Sequence, residues 1–547
     1  MITKNKFKLI KKKKMSIFNR SRKKRIETSV HNLSHTYQGT WYPGYIYPIM
    51  CTKVVPGDTF QIASNPFIRS QPFVTPMLTN VFCDIRYFYC RNLLLWENFD
   101  KYITNAERYG VGYLKGEDVP VHPFFNFVND GNLNSKVLDL FDCLYGVVDG
   151  DHEGLPFNGI DALPARMYNL IYNEYYLNEN YGKVAGREVG DGQDTVSNYE
   201  LRKACWKKDY FTSALPSPQR GDTVNLDALV NLNLDDDHLQ KWVDENGLDF
   251  NIASGSSKNA KFLNRDTDNS GLYVEESSNV FDEAYLDPNG SFGVSIDIRD
   301  LRKASAVQRF LEDSAVNGNR YAEYMLAHFG VRTPDNSSFR PQYLGGGSAP
   351  INYVAVDQTS QTGTTPQGTQ AGKAQLNGLM GMNHRYFFTE YGWIMALMVI
   401  RPEAVYAGGV NRQYWTNQDR LEDYFNPKFQ NIGMQAIKRR ELNVGDDNEE
   451  NLEDIGYQER YMEYKNIPSS VHGRFLSDMK SWVSVRDFMF DSVGAGINLN
   501  GEFMSVGEDV FDFNTAVSDY PPFFGSIRHN VIARRPMQYH AKYGGAI

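Results

Sequence analysis

Between Arg385 and Ile400 the chain is a run of aromatic and aliphatic residues stopped by Arg401-Pro402, and its unbroken apolar part, Trp393 to Ile400, is eight residues long. No longer apolar run occurs in the 547 residues. A bilayer-spanning helix takes roughly 18 to 20 such residues, so no transmembrane helix is expected and no membrane insertion. A short run of this kind ended by proline, which stops ladder pairing, reads as a strand. The core must therefore be gathered from short segments. Val81-Phe82-Cys83-Asp84-Ile85-Arg86-Tyr87-Phe88-Tyr89 is apolar or aromatic at every odd position, with polar groups only at even ones, which predicts a strand buried mainly on one face. Pro56-Gly57-Asp58 marks a turn before another short strand, Thr59 to Ala63.

Three stretches carry helical spacing. Leu93, Trp96, Phe99 and Ile103 share one face; Met167, Leu170, Ile171 and Tyr175 share another, after Pro164 near a helix start; and Asp297 to Phe329 predicts a helical pair, broken at Asn317-Gly318-Asn319 and stopped by Gly330. Ala355 to Gln375, dominated by Gln, Thr, Ser and Gly, predicts a long loop that takes its order from a neighbouring subunit. Strands separated by long loops and helical inserts point to a mainly β fold, a sandwich or jelly roll with elaborated connections.

Charge divides the chain. Net charge is −9, yet residues 1–25 hold 12 cations and no acid, which leaves 45 basic against 66 acidic residues, about −21, for the rest. The cluster at Lys11, Lys12, Lys13, Lys14, Arg20, Arg22, Lys23, Lys24 and Arg25 suits neutralisation of nucleic-acid phosphates. A solubilising tail is the other reading, as is translated sequence upstream of a start at Met15. The apolar residues behind the cations, Phe7, Leu9 and Ile10, are too few for a signal peptide, so residence in a cytoplasm is expected. From Gly221 to Gly293, 15 acids face four cations, and the Asn, Asp, Ser and Gly clusters read as an exposed, loop-rich insertion.

Motifs for chemistry are sparse. The cysteines at 51, 83, 90, 143 and 205 form no CxxC pair and read as small buried hydrophobes or inert thiols. Gly110-Val111-Gly112 with Gly116 has the wrong spacing for a dinucleotide loop, and no P-loop or Gly-x-Ser-x-Gly elbow occurs. His31 and His35 stand four apart without the intervening Glu of a zinc protease and read as structural or interface histidines. Asp266-x-Asp268-x-Ser270-Gly271 imitates a calcium loop but has Ser277 where a bidentate Glu belongs. Asp282-Glu283 beside Tyr285 carries no more weight as a glycosidase pair than as a solvated acidic loop. No metal, cofactor or enzymatic activity is expected.

Several blocks carry a resemblance. Val30-His31-Asn32-Leu33-Ser34-His35-Thr36 and Val55-Pro56-Gly57-Asp58-Thr59-Phe60 are followed in order by Leu163-Pro164-Ala165-Arg166 with Tyr168-Asn169 and Ile171-Tyr172-Asn173-Glu174-Tyr175-Tyr176. Then come Lys208-Asp209-Tyr210-Phe211-Thr212-Ser213-Ala214-Leu215-Pro216, Gln308-Arg309-Phe310-Leu311 through His328-Phe329-Gly330-Val331, Arg340-Pro341 with Tyr343-Leu344-Gly345-Gly346, Thr365-Pro366-Gln367-Gly368, and Gly456-Tyr457-Gln458-Glu459-Arg460-Tyr461. Together they resemble the major capsid protein of the Microviridae, within it the gokushovirus branch. The resemblance runs from Val30 almost to the end, matches little in 221–293, and is loose at Arg535-Pro536-Met537.

This resemblance implies an eight-stranded viral jelly roll, an antiparallel β-sandwich with long loop and helical insertions, assembled as a T=1 icosahedral shell of a bacteriophage virion synthesised in the host cytoplasm. It implies as partners other copies of the chain in five-, three- and two-fold contacts, a single-stranded DNA genome, a small basic DNA-packaging protein, a minor pilot protein and a host surface receptor. Expected segments are a basic N-terminal arm at 1–29, the first part of the jelly roll with helical inserts at 30–220, an acidic three-fold protrusion for host attachment at 221–293, and the rest of the jelly roll with interface loops at 294–547. Two readings from other classes stand beside it: a carbohydrate-binding jelly-roll adhesin, and a glycosidase on the same sandwich.

Overall fold

The computed structural model describes residues 27–540 except 108–113, 115–117, 128–132, 147–156, 222–223, 225–261, 266–271, 276–297, 318–319, 336–338, 360–362, 364–366, 417–422, 432, 446–447, 488–498, 512–513 and 517–519. Two compact units make up the chain, residues 1–220 with 312–547, and residues 221–311. In the smaller unit, Phe262–Arg265 pairs antiparallel with Leu272–Glu275.

Eight strands frame the core of the larger unit, beside shorter ones: β1 (His35–Trp41), β2 (Ile46–Val54), β3 (Thr59–Ser70), β4 (Val81–Arg91), β5 (Gln342–Asp357), β6 (Gln370–Asn377), β7 (Gly392–Pro402) and β8 (Phe523–Arg535). Their order is β1-β8-β3-β6 in one sheet and β2-β7-β4-β5 in the other, every pairing antiparallel. First pairs with last, second with seventh, third with sixth and fourth with fifth, as when one long hairpin is wound around a core. The protein is thus a jelly roll. The sheets join where the far end of β5 leaves β4 and pairs with β6, Asn352 opposite Gln375 through Asp357 opposite Gln370. Earlier in β5, while it still pairs with β4, a bulge falls between Tyr343 and Gly345. Gly345 has φ +119°, and a Cβ at Gly346 would lie 2.3 Å from the Ile85 carbonyl oxygen, so glycine is required where the strands close together.

The β1-β8-β3-β6 sheet is buried on one face only. Phe60, Ile62, Ser64 and Ile68 of β3 alternate with solvent-facing residues, and Ile527, His529, Val531 and Ala533 of β8 do the same. On the outer face lie Thr36, Gln38 and Thr40 of β1, and Phe524, Ser526, Arg528, Asn530, Ile532 and Arg534 of β8. Beside them stand Gln61, Asn65, Phe67 and Arg69 of β3, then Lys373, Gln375 and Asn377 of β6.

The other sheet is buried on both faces along β2, β7 and β4, whereas β5 at its edge leaves Tyr343, Ser348 and Pro350 exposed. Odd residues of β4, as expected, point between the sheets, but Asp84, Phe88 and Cys90 are buried too, so the one-faced strand predicted for Val81–Tyr89 is corrected. Residues 92–220 supply the cover: α1 (Ser135–Tyr145) packs on β2, and Tyr175, beyond α2 (Leu163–Ile171), sets its ring 4.8 Å from Phe88. The Asn134 side chain accepts from the Lys136 amide at 3.1 Å to start α1, and Gly146 at φ +66° ends it. Pro164 opens α2, all of whose residues are buried. Tyr168 of α2 donates to the Ile46 carbonyl at 2.9 Å, and Arg166 grips Asp194 in a bidentate pair at 2.8 and 2.6 Å, locking the cover to β2 and to its own following loop.

Other expectations shift. Leu93 to Ile103 is two short helices, Asn92–Leu95 and Phe99–Thr104, with Trp96 and Phe99 buried but Leu93 and Ile103 exposed. Ala355–Asp357 and Gln370–Gln375, expected in a loop, belong to the β5–β6 ladder, so this chain itself supplies their order. Thr59 to Ala63 extends to Ser70, and the Arg385–Ile400 run narrows to a strand whose last pair is Pro402 with Val81. The helical pair is present as α3 (Ile298–Val316) and α4 (Tyr321–Phe329), with Gly330 at φ +66° ending the second. Cys83 and Cys90 are buried, and burial pushes the Cys51 and Cys143 thiols up to about 12, so these sulfurs stay protonated and unreactive.

Candidate assembly surfaces

For association with other molecules, the informative surfaces of a jelly roll are those left apolar. On α4, an apolar helix with no buried residue, Tyr321, Leu326 and Phe329 are 62%, 52% and 63% exposed. Its N-terminus is firmly held. Arg320 donates to the Asn173 carbonyl at 2.7 Å and to Glu179 Oε1 at 2.5 Å, while Glu323 accepts from the Arg320 amide at 3.3 Å and caps the helix. Exposed apolar patches of this kind are characteristic of interaction surfaces.

A second aromatic surface lies in the long connection between β7 and β8. There a cleft of about 730 Å³ is lined by Arg412, Tyr414, Trp415, Tyr424, Glu463 and Tyr464 among others. Arg412 on its wall is held from behind. Arg412 donates to the Ala436 carbonyl at 2.7 Å and to Glu441 Oε1 at 3.3 Å, and Glu441 accepts from the Tyr210 hydroxyl at 2.7 Å. Burial raises the Glu441 carboxyl above its usual range, against the pull of the Lys438 amide and Arg412. Trp415 lies beneath the Arg440 guanidinium, 3.4 Å away, and so presents a fixed ring, whereas Tyr414 and Tyr424 project almost fully into solvent. Tyrosine, tryptophan and arginine together are the composition of an interface centre.

Lys11, Lys12, Lys13, Lys14, Arg20, Arg22, Lys23, Lys24 and Arg25 lie outside the described residues, as do Gly110 to Gly112 with Gly116, the Asp266–Gly271 loop and the Asp282-Glu283 pair. His31 and His35 sit in extended backbone, not on a helix face: His31 stacks on Tyr539 at 5.6 Å and His35 lies 5.0 Å from His529. Among the described residues no His, Cys, Asp and Glu cluster of three or more could hold a metal ion, and no helix is long and apolar enough to cross a membrane. The cleft and the exposed face of α4 went unread in the sequence. Tyr321, Tyr324 and Phe329, three aromatics close together on a predicted helix, carried the available signal.

Known proteins speak to the same conclusion. The family described as Capsid protein (F protein) matches residues 20–542. The chain is 30% identical over 507 residues to the capsid protein VP1 of Bdellovibrio phage phiMH2K, covering 90% of each, and 27% identical over 596 residues to that of Chlamydia phage 1, covering 95% of this chain and 96% of the other. Spiroplasma virus 4 has a capsid protein VP1 that is 25% identical over 537 residues, 92% of each chain. A jelly roll clad in exposed aromatic surfaces, matched along nearly its whole length, belongs to the capsid protein (F protein) family, in its Microviridae, gokushovirus-type branch.

Proposed function

We propose that this chain is the repeating subunit of a small T=1 icosahedral shell that meets copies of itself around five-, three- and two-fold axes, encloses a single-stranded DNA genome and performs no catalysis. The observation that carries this is the apolar surface of α4, held rigidly and left open to water on a jelly roll of the capsid family. Burial of such a face against identical neighbours removes about 25 cal/mol for each square ångström taken from water, and a closed shell repeats that gain at every contact. Segment 221–293, acidic and rich in turn residues, is the natural protrusion for meeting a host receptor, and the arm at 1–29 the natural counter-charge to genome phosphate. A small basic DNA-packaging protein and a minor pilot protein complete the particle in this reading.

Expression of the full chain followed by size-exclusion chromatography and negative-stain imaging tests the reading. Closed particles of one size are expected. A stable monomer that binds glycans would overturn it in favour of a carbohydrate-binding jelly roll.

A further inference from the structure

We infer that the outer face of the β1-β8-β3-β6 sheet is a binding surface for single-stranded nucleic acid, with Arg69, Lys373, Arg528 and Arg534 meeting phosphates and Phe67 and Phe524 stacking on bases. This rests on the proposed container function and assigns the genome a place on the fold. Residues directly opposite one another in an antiparallel pair share a face. The register sets Phe524 opposite Arg69 and Arg69 opposite Gln375, sets Ser526 opposite Phe67, and sets Arg528 opposite Asn65. The Arg69 guanidinium lies 4.8 Å from the Phe67 ring centre, so ring, cation and ring stand side by side across two strands.

Charge makes this face unlike the rest of the protein. Acids outnumber bases 66 to 57 in the chain, yet no Asp or Glu points outward on this face from β1 through β8 and β3 to β6. The four cations are exposed, and none has an ion-pair partner among the described residues. Other positions on the face are Gln, Asn, Thr and Ser, which hydrogen-bond to phosphate and sugar without repelling them. The exposed Phe524 and half-buried Phe67 between the cations favour a single strand over a duplex, an acidic peptide or a lipid headgroup, because unpaired bases offer a flat surface to stack. Arg534 donates to Thr28 Oγ1 at 3.1 Å at the edge of the face, and Lys23, Lys24 and Arg25 immediately precede this point in sequence.

The test compares the full chain with a variant carrying Arg69→Gln, Lys373→Gln, Arg528→Gln and Arg534→Gln, both with the N-terminal arm intact. Binding to a fluorescent 30-nucleotide oligo-dT is measured across a salt series. Each phosphate neutralised on a single strand contributes about 0.7 to the slope of log affinity against log salt, so the variant's slope should fall by about 2 to 3. A control with Lys428→Gln and Arg474→Gln, exposed cations elsewhere, should keep the original slope. An unchanged slope in the four-site variant overturns the inference. Should that variant misfold by circular dichroism, ultraviolet crosslinking of the unaltered protein to bromouracil-containing oligonucleotide decides: adducts on the peptides bearing Phe67 or Phe524 support the inference, and adducts only elsewhere refute it. Failure here is separable from failure of the container reading. Particles that assemble while the slope stays fixed sink only the nucleic-acid face, and a chain that never assembles sinks the container.

Discussion

His529 is where the two sheets are tied by polar groups. The Tyr87 hydroxyl donates to Ser64 Oγ at 2.5 Å, Ser64 then donates to His529 Nδ1 at 2.7 Å, and the remaining ring proton on Nε2 donates to the Ile49 carbonyl at 3.1 Å. This chain of donors fixes one neutral tautomer, because a second ring proton would face a hydroxyl already committed as donor. Burial, and then the His35 ring beside it, push the His529 pKa down from 6.5 to about 4. Above pH 6.5 folded and unfolded chains both hold a neutral ring. Between pH 6.5 and 4 the unfolded chain takes up a proton that the folded one refuses, so stability falls as pH falls, by about 1.4 kcal/mol per pH unit. From pH 6.5 to 5, before most carboxylates titrate, this residue should cost the fold about 2 kcal/mol. Denaturant unfolding of the free subunit at both pH values measures the loss, and His529→Gln should remove most of the difference while starting from a less stable protein. The same pH dependence in the variant would place the effect elsewhere.

At the level of elements, α4 presents Tyr321 and Phe329 to solvent on a helix whose base Arg320 fixes to Asn173 and Glu179. Exposed side chains seldom move subunit stability by more than about 0.5 kcal/mol, whereas an aromatic buried at an interface centre is worth about 2 kcal/mol or more. Tyr321→Ser with Phe329→Ser should therefore leave the melting temperature of the subunit nearly unchanged and cut particle yield, counted by negative stain, at least tenfold. Full yield would remove α4 from the contacts. Period-two alternation made β4 legible, and helical spacing made α2 and the α3–α4 pair legible. The double-sided burial of β4 was hidden, since Asp84 and Phe88 are covered by a segment that follows in sequence and no local pattern encodes what packs above a strand. The β5–β6 hairpin was misread because Gln, Thr and Gly there signal a loop by composition, while pairing through backbone groups asks little of the side chains. In β8, Ile527, Val531 and Ala533 alternate plainly, but histidine at 529 and arginines on the outer face disguised the run. Of the surfaces, the basic cluster was legible from charge alone, whereas the acid-free sheet face depends on cross-strand register and has no linear signature.

Over the whole molecule the balance of charge governs association. Residues 1–25 contribute 12 positive charges to a chain of net −9, so without them each copy carries about −21. Copies brought edge to edge then repel over distances that salt shortens, the screening length being about 8 Å at physiological ionic strength and about 3 Å at 1 M. Apolar burial between subunits is far less sensitive to screening, so added salt weakens the repulsion while leaving the attraction in place. Deletion of residues 1–25 behind a new start methionine should consequently shift nucleic-acid-free assembly to higher ionic strength, by at least twofold at the light-scattering midpoint, while the strand Ser29–Asn32 and the jelly roll that follows it stay intact. If the arm's only role were contact with the genome and its charge did not bear on subunit repulsion, full-length and shortened chains would assemble at one common midpoint when no nucleic acid is present. The two midpoints, compared with and without single-stranded DNA, separate repulsion between subunits from attraction to the genome: a shift present in both conditions belongs to the first, and one that appears only with DNA to the second.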